Sequence, residues 1–384
     1  MSKNINKEVE MPETLNPEKE QITAEKILER IKAEIQKLED KTFTTYFYVI
    51  DTKGVPSGSL LYIYKIAYAL QEKGYKVAML YSDKEFVGIS GWAEKKYADL
   101  PHLPLTDKKI KISPSDFLII PEIYTDVMSQ TKGFTGKRVI LLQNDEYFTR
   151  FIPIGVNPYK YGITDAIVNT DVAKDWMNKN LPLIKTHKIR PNISTDLFHP
   201  GDKPKKLIIN FVCKDGNDAS RIVKPFMWKY PQFKWVSFTQ LNNLPQDVFA
   251  KALQDGFLTI WVDENASFGY VPLEALKAGS LVIGKIPQKF PEWMLKEDGK
   301  SLVDSIIWFD DFSVVPDLLM QLISMWIRDG LSKDIYEEAA RLKDAYSGTE
   351  QTDDINTVFV DTLFANRKRD FEKLLQERQN NKEK

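Results

Sequence analysis

The sequence predicts an α/β protein made of two Rossmann-like halves that face each other across a cleft. Three observations carry this expectation. Short apolar runs alternate with helix-like segments from Thr44 onward, a turn-rich stretch over 191–206 interrupts them, and a second alternating series follows. Short buried strands separated by helices imply parallel sheets covered on both faces. At 384 residues the chain is long enough for two domains, each with its own core.

Residues 1–20 are polar with two prolines and read as a disordered tail. Ala24, Leu28, Ile31, Ile35 and Leu38 then recur at helical spacing, with Thr23 placed to cap the helix. Such a helix packs on the body or, alternatively, serves a protein partner or self-association through residues 22–38. The first half (42–195) offers strands over 46–50, 76–81, 116–120, 138–142 and 165–169. A long helix over 60–73 closes at Gly74, and another begins near Asp171. The second half (196–345) offers strands over 206–212, 234–238, 258–262 and 281–284, with a short one over 305–308. Its helices begin near Asp218, Gln246 and Val271. From Val315 the chain reads as successive helices with a loop near 347–354, and 346–384 forms a helical extension.

Composition narrows the function. The 53 Lys+Arg and 54 Asp+Glu nearly cancel, which gives no support to a nucleic-acid coat or a polybasic membrane tether. One cysteine, Cys213, excludes an intramolecular disulfide, and three scattered histidines lack metal-ligand spacing. Neither a signal-peptide core nor a run approaching the roughly 20 apolar residues of a spanning helix is present, so the expected setting is cytoplasmic. In MWKYPQFKWVSF (227–238), Trp228, Phe233 and Trp235 read as core packing rather than a sugar platform. Cys213 reads as core-edge packing rather than a reactive thiol.

Two segments carry candidate chemistry. The first is the loop 51–59, where Gly54, Pro56 and Gly58 precede a helix. Small residues there let backbone N–H groups approach an anion at a helix N-terminus, although a tight strand-to-helix turn uses the same residues. The second is ASFGYVPLEALKAG (266–279), set between two strands. Gly269 permits close backbone approach, and Pro272 suits a first helical turn. Glu274 lies about one turn in, among Val271, Leu273, Ala275, Leu276 and Ala278. A carboxylate there needs donors: paired sugar hydroxyls serve, as does a neighbouring backbone or lysine.

This phrase resembles the donor-binding signature of the retaining glycosyltransferases of family 4, E-G-F-G-L-x-x-x-E-A-M-A-x-G. VNTDVAKDWM (168–177), IRPNISTDLFHP (189–200) and INFVCKD (209–215) resemble further family segments in the right order. PEIYTD (121–126) and ILLQND (140–145) resemble a bacterial and phage branch. The resemblance spans roughly 44–345 and implies the GT-B fold, with the acceptor on the first domain and a nucleotide-sugar donor on the second. It assigns Glu274 to the ribose hydroxyls, and Phe268, Gly269 and Tyr270 to the donor-contacting turn. Lys214 falls where the family has an Arg on the donor diphosphate, as a point charge without the bidentate fork. Gly58 and Ser59 stand at the Gly-Gly loop of the first domain. Lys214, Asn144 and Asp145 are the catalytic candidates; Gln143, Asn144 and Asp145 replace a cleft histidine.

The departures are specific. The first Glu of the signature falls at Ala266, with Asp263 and Glu264 just upstream. Asp215 stands at one position where a second phosphate-binding Lys is expected, and GKIPQKFPE replaces a glycine-rich loop. The expectation is a metal-independent transferase that moves a sugar from a nucleotide-sugar to a glycan or other hydroxyl acceptor, with retention at the anomeric carbon. The nucleotide-sugar is a substrate, and no resident cofactor is expected. A non-catalytic relative that binds a nucleotide, glycan or partner protein is the alternative. An epimerase on the same fold is a third reading.

Overall fold

The computed structural model describes residues 24–107, 110–213, 215–330, 333–342 and 344–380. The tail, Thr23 and Lys214 lie outside the described residues.

The first sheet has seven parallel strands: β1 (Thr44–Tyr48), β2 (Lys76–Tyr81), β3 (His102–Pro104), β4 (Phe117–Pro121), β5 (Lys137–Leu142), β6 (Asp165–Val168) and β7 (Lys185–Lys188). Their order is β3-β2-β1-β4-β5-β6-β7, so strand order reverses between β1 and β4. The second has five parallel strands: β8 (Lys206–Cys213), β9 (Ser237–Gln240), β10 (Gly256–Val262), β11 (Leu281–Lys285) and β12 (Ile306–Phe309). Their order is β12-β11-β10-β8-β9, which reverses between β8 and β10. In open parallel sheets such reversals leave a crevice beyond the carboxyl ends of the strands, where ligands bind.

The helices are α1 (Ala24–Glu39), α2 (Gly58–Glu72), α3 (Lys95–Ala98), α4 (Thr125–Gln130), α5 (Asp145–Phe151), α6 (Asp171–Asn180), α7 (Gly216–Lys229), α8 (Gln246–Asp255), α9 (Tyr270–Lys277), α10 (Val315–Asp329), α11 (Lys333–Leu342), α12 (Gly348–Ile355) and α13 (Ala365–Asn380). A π-helical stretch, Asn356–Phe364, joins the last two.

Each sheet is covered on both faces by apolar clusters. One face of the first sheet packs α2 (Leu60, Tyr64, Ile66) with Ile31 and Leu38 of α1 and Phe359, Phe364 and Phe371 of the C-terminal segment. The last helices thus return to the first domain, and α1 lies on the body, its Glu34 accepting from Ser113 and Ser115. Arg190, between the two sheets, fixes that return: its guanidinium meets Asp354 and Glu350 at 2.8–2.9 Å.

Two expectations are corrected. Where a loop was expected near 347–354, Gly348–Ile355 forms a helix, because Ser347 and Glu350 make a reciprocal capping box at its start. Trp228 and Trp235 are 75% and 58% exposed: Ile222 and Phe226 take the buried side of α7, which leaves Trp228 outside. Strands β3 and β7 carry too little apolar pattern to be read, as both are short sheet edges. Cys213 is buried, and burial pushes its thiol up.

Candidate functional site

Two helix starts meet where the rims face each other. On the first rim, Ser57 caps α2, its hydroxyl accepting from the Leu60 N–H. Gly58 opens that helix against the Tyr270 ring, so closely that a Cβ at this position would lie 3.1 Å from Tyr270 Cδ2. On the second rim, Gly269 caps α9 with φ +72°, and a Cβ there would lie 2.3 Å from Met294 Cε. The left-handed backbone requires glycine, whereas the flexible end of Met294 can swing aside.

Gly58, Leu61, Lys65, Asn192, Tyr270 and Glu274 line a small cavity on this seam. Its volume, about 20 Å³, admits roughly one water. A nucleotide enters only if Tyr270 leaves Gly58 or the domains part. Glu274 is partly buried on α9, and desolvation pushes its carboxyl above the usual range despite the pull of Lys65. Burial likewise pulls the Lys65 ammonium down, against Glu274 and Glu94. Its Nζ donates to the Asn192 carbonyl at 2.8 Å. The Tyr270 hydroxyl is buried without a hydrogen-bond partner, and burial pushes its pKa up.

Other predicted residues lie along the same seam. The Ser59 carbonyl accepts from Gln143 Nε2 at 3.0 Å. Asn144 caps α5, accepting from the Glu146 N–H, and its Nδ2 crosses the cleft to the Asn265 carbonyl at 3.2 Å. Asp145 crosses to Lys289 at 2.7 Å. Phe268 is a core residue: it is 1% exposed, packs against Tyr270, Trp293 and Tyr346, and its carbonyl accepts from Trp293 Nε1. Its side chain therefore supports the turn from beneath. Glu264, upstream of Ala266, faces Lys285 at 3.6 Å.

The structure adds two residues that the sequence reading passed over. Lys65 is a single cation within LLYIYKIAYAL, an apolar helix face, and that interruption was its available signal. Glu122, at the end of β4, is buried and pushed up to about 7 by desolvation. Its Oε1 accepts from the Asn144 N–H at 3.1 Å, while Oε2 has no partner.

No protein-family model and no curated protein matches the chain. Solved structures do. An α-glucosyltransferase in complex with UDP and a 13-mer DNA containing an HMU base aligns with TM-score 0.57 at 12% identity, over 82% of this chain and 99% of that one. Sucrose-phosphate synthase from Thermosynechococcus elongatus gives 0.53 at 13% identity, over 84% and 99%. The catalytic domain of starch synthase IV from Arabidopsis thaliana, bound to ADP and acarbose, gives 0.53 at 9% identity, over 85% and 99%. At these identities the likeness is one of fold: two parallel α/β sheets in the GT-B arrangement, with a helical C-terminus. No helix among the described residues is long and apolar enough to cross a membrane.

Proposed function

We propose that the protein transfers a sugar from a nucleotide-sugar donor to an acceptor hydroxyl, with retention at the anomeric carbon and without a metal. The observation that carries this reading is the meeting of Gly58, Tyr270 and Glu274 at one seam between two GT-B domains. Glu274, ionised, accepts hydrogen bonds from the ribose hydroxyls, while Lys65 favours that ionised form through space. The N–H groups opening α2 and α9 receive the diphosphate, joined by Lys214 from its place after β8. Catalysis is then positioning, together with stabilisation of charge on the departing diphosphate. Asn144 and Asp145 line the acceptor side, where a glycan or other hydroxyl compound enters.

Ala266 favours a second reading, in which the chain binds the nucleotide without transfer, since the motif has no carboxylate at that position. Release of nucleoside diphosphate from a panel of nucleotide-sugars separates the two. Transfer predicts turnover of one nucleotide class, and a loss of kcat/KM of roughly 10- to 100-fold in Glu274→Ala, the value of hydrogen bonds to a charged group. Binding that depends on Glu274 without turnover supports the second reading. A folded protein that binds no nucleotide contradicts both.

A further inference from the structure

The buried turn 143–145 follows β5, and each of its residues reaches a different element. Gln143 Nε2 donates to the Ser59 carbonyl at the start of α2. Asn144 Nδ2 donates across the cleft to the Asn265 carbonyl, and Asp145 accepts across it from Lys289. The two loops so reached are themselves joined, since the Gln288 N–H donates to the Glu264 carbonyl at 2.9 Å. One turn of the first domain is therefore bonded to the opening of α2, to the loop before α9 and to the loop after β11.

Glu122, directly after β4, holds that turn. Asn144 has an extended backbone, as a helix cap must, so its own N–H lies outside the hydrogen bonding of α5. Glu122 Oε1 accepts this N–H at 3.1 Å, while the Glu122 N–H donates to the Leu141 carbonyl at 3.0 Å. Glu122 is 4% exposed, and no cation pairs with it among the described residues. A carboxylate taken out of water without a cation is costly, and leucine would fill the place at less cost. Leucine would, however, leave the buried Asn144 N–H without an acceptor. The costly side chain thus stands where it sets the cap from which Asn144 and Asp145 cross the cleft.

We propose that Glu122 is a positioning residue of the cleft, acting through the turn 143–145 on the loops 263–269 and 286–291 of the second domain. That these loops serve a nucleotide-sugar rests on the donor reading of the Glu274 cavity. The hold of Glu122 upon them does not.

The first test is hydrogen exchange of the full chain, followed by mass spectrometry, in wild type, Glu122→Leu and Glu122→Gln. In Glu122→Leu the amides of 143–146, 263–269 and 286–291 should exchange about tenfold faster, with β2 and β8 unchanged. Glu122→Gln keeps an acceptor oxygen for the Asn144 N–H and should restore the wild-type pattern. Lys289→Ala should free 286–291 by itself and add little to Glu122→Leu, because both act through one connection. A uniform rise across the first domain with a lower urea midpoint marks a core residue only, and overturns the proposal. So does a turn that loosens while 263–269 and 286–291 stay protected, or a Glu122→Gln that behaves as Glu122→Leu.

Calorimetric titration with UDP, GDP, ADP and CDP then joins this role to the donor reading. The tightest of the four should bind about tenfold more weakly to Glu122→Leu and unchanged to Glu122→Gln. Unchanged binding to Glu122→Leu overturns the positioning of the donor loops. A folded wild type that binds none of the four overturns the donor reading, and the exchange pattern alone then decides the role of Glu122.

Discussion

Gly58 opens α2 on the first rim and Gly269 caps α9 on the second, and each is crowded by a different neighbour. Gly269 has a left-handed backbone, and Met294 of its own domain fills the space a Cβ would need. Gly58 has an ordinary φ, and what crowds it is the Tyr270 ring from the opposite domain. One glycine is therefore a requirement of folding. The other reflects how closely the domains meet, at the place where the proposed donor would enter.

Substitution should separate the two requirements. Gly269→Ala forces a side chain into the left-handed region and against a buried methionine. It should destabilise the protein by about 2–4 kcal/mol, read as a lower midpoint in urea unfolding. Gly58→Ala should change stability by less than ~0.5 kcal/mol, because alanine suits a helix and the crowding ring can turn. It should nevertheless weaken nucleoside diphosphate binding by about tenfold, as the methyl fills the backbone approach at the start of α2. If Gly58→Ala unfolds the protein, or Gly269→Ala leaves its unfolding midpoint unchanged, the contrast between the rims fails.

The same contrast separates what was legible in the sequence from what was not. Strand β2 was read residue for residue, because KVAMLY is an apolar run closed off by Gly74 before it. Strand β7, KTHK, has no apolar residue at all, because an edge strand pairs through its backbone and shows polar side chains to solvent. The capping box at Ser347 was present as a sequence pattern, yet its polar surroundings read as loop. At the site, Gly58, Tyr270 and Glu274 could be singled out, as each belongs to a local turn or helix start. Lys65, Asn192 and Glu122 could not, because what distinguishes them is contact with distant segments. Lys65 meets the Asn192 carbonyl 127 positions away, and Glu122 meets the Asn144 N–H 22 positions away. Phe268 shows the converse, a residue inside a ligand-like motif whose side chain serves the core.

Glu274 is where these threads join, and its protonation offers the most direct measurement. Burial raises its carboxyl to about 7, so the ionised form that the proposed ribose contact needs predominates above that pH and is lost below it. The dissociation constant of the tightest-binding nucleoside diphosphate should be followed from pH 5.5 to 7.5 in wild type and in Glu274→Gln. Wild-type affinity should fall as pH drops through about 7, approaching that of the variant, while Glu274→Gln binds weakly and evenly across the range. A wild-type affinity that does not vary with pH, or the same slope in Glu274→Gln, would contradict the assignment of Glu274 to the ribose.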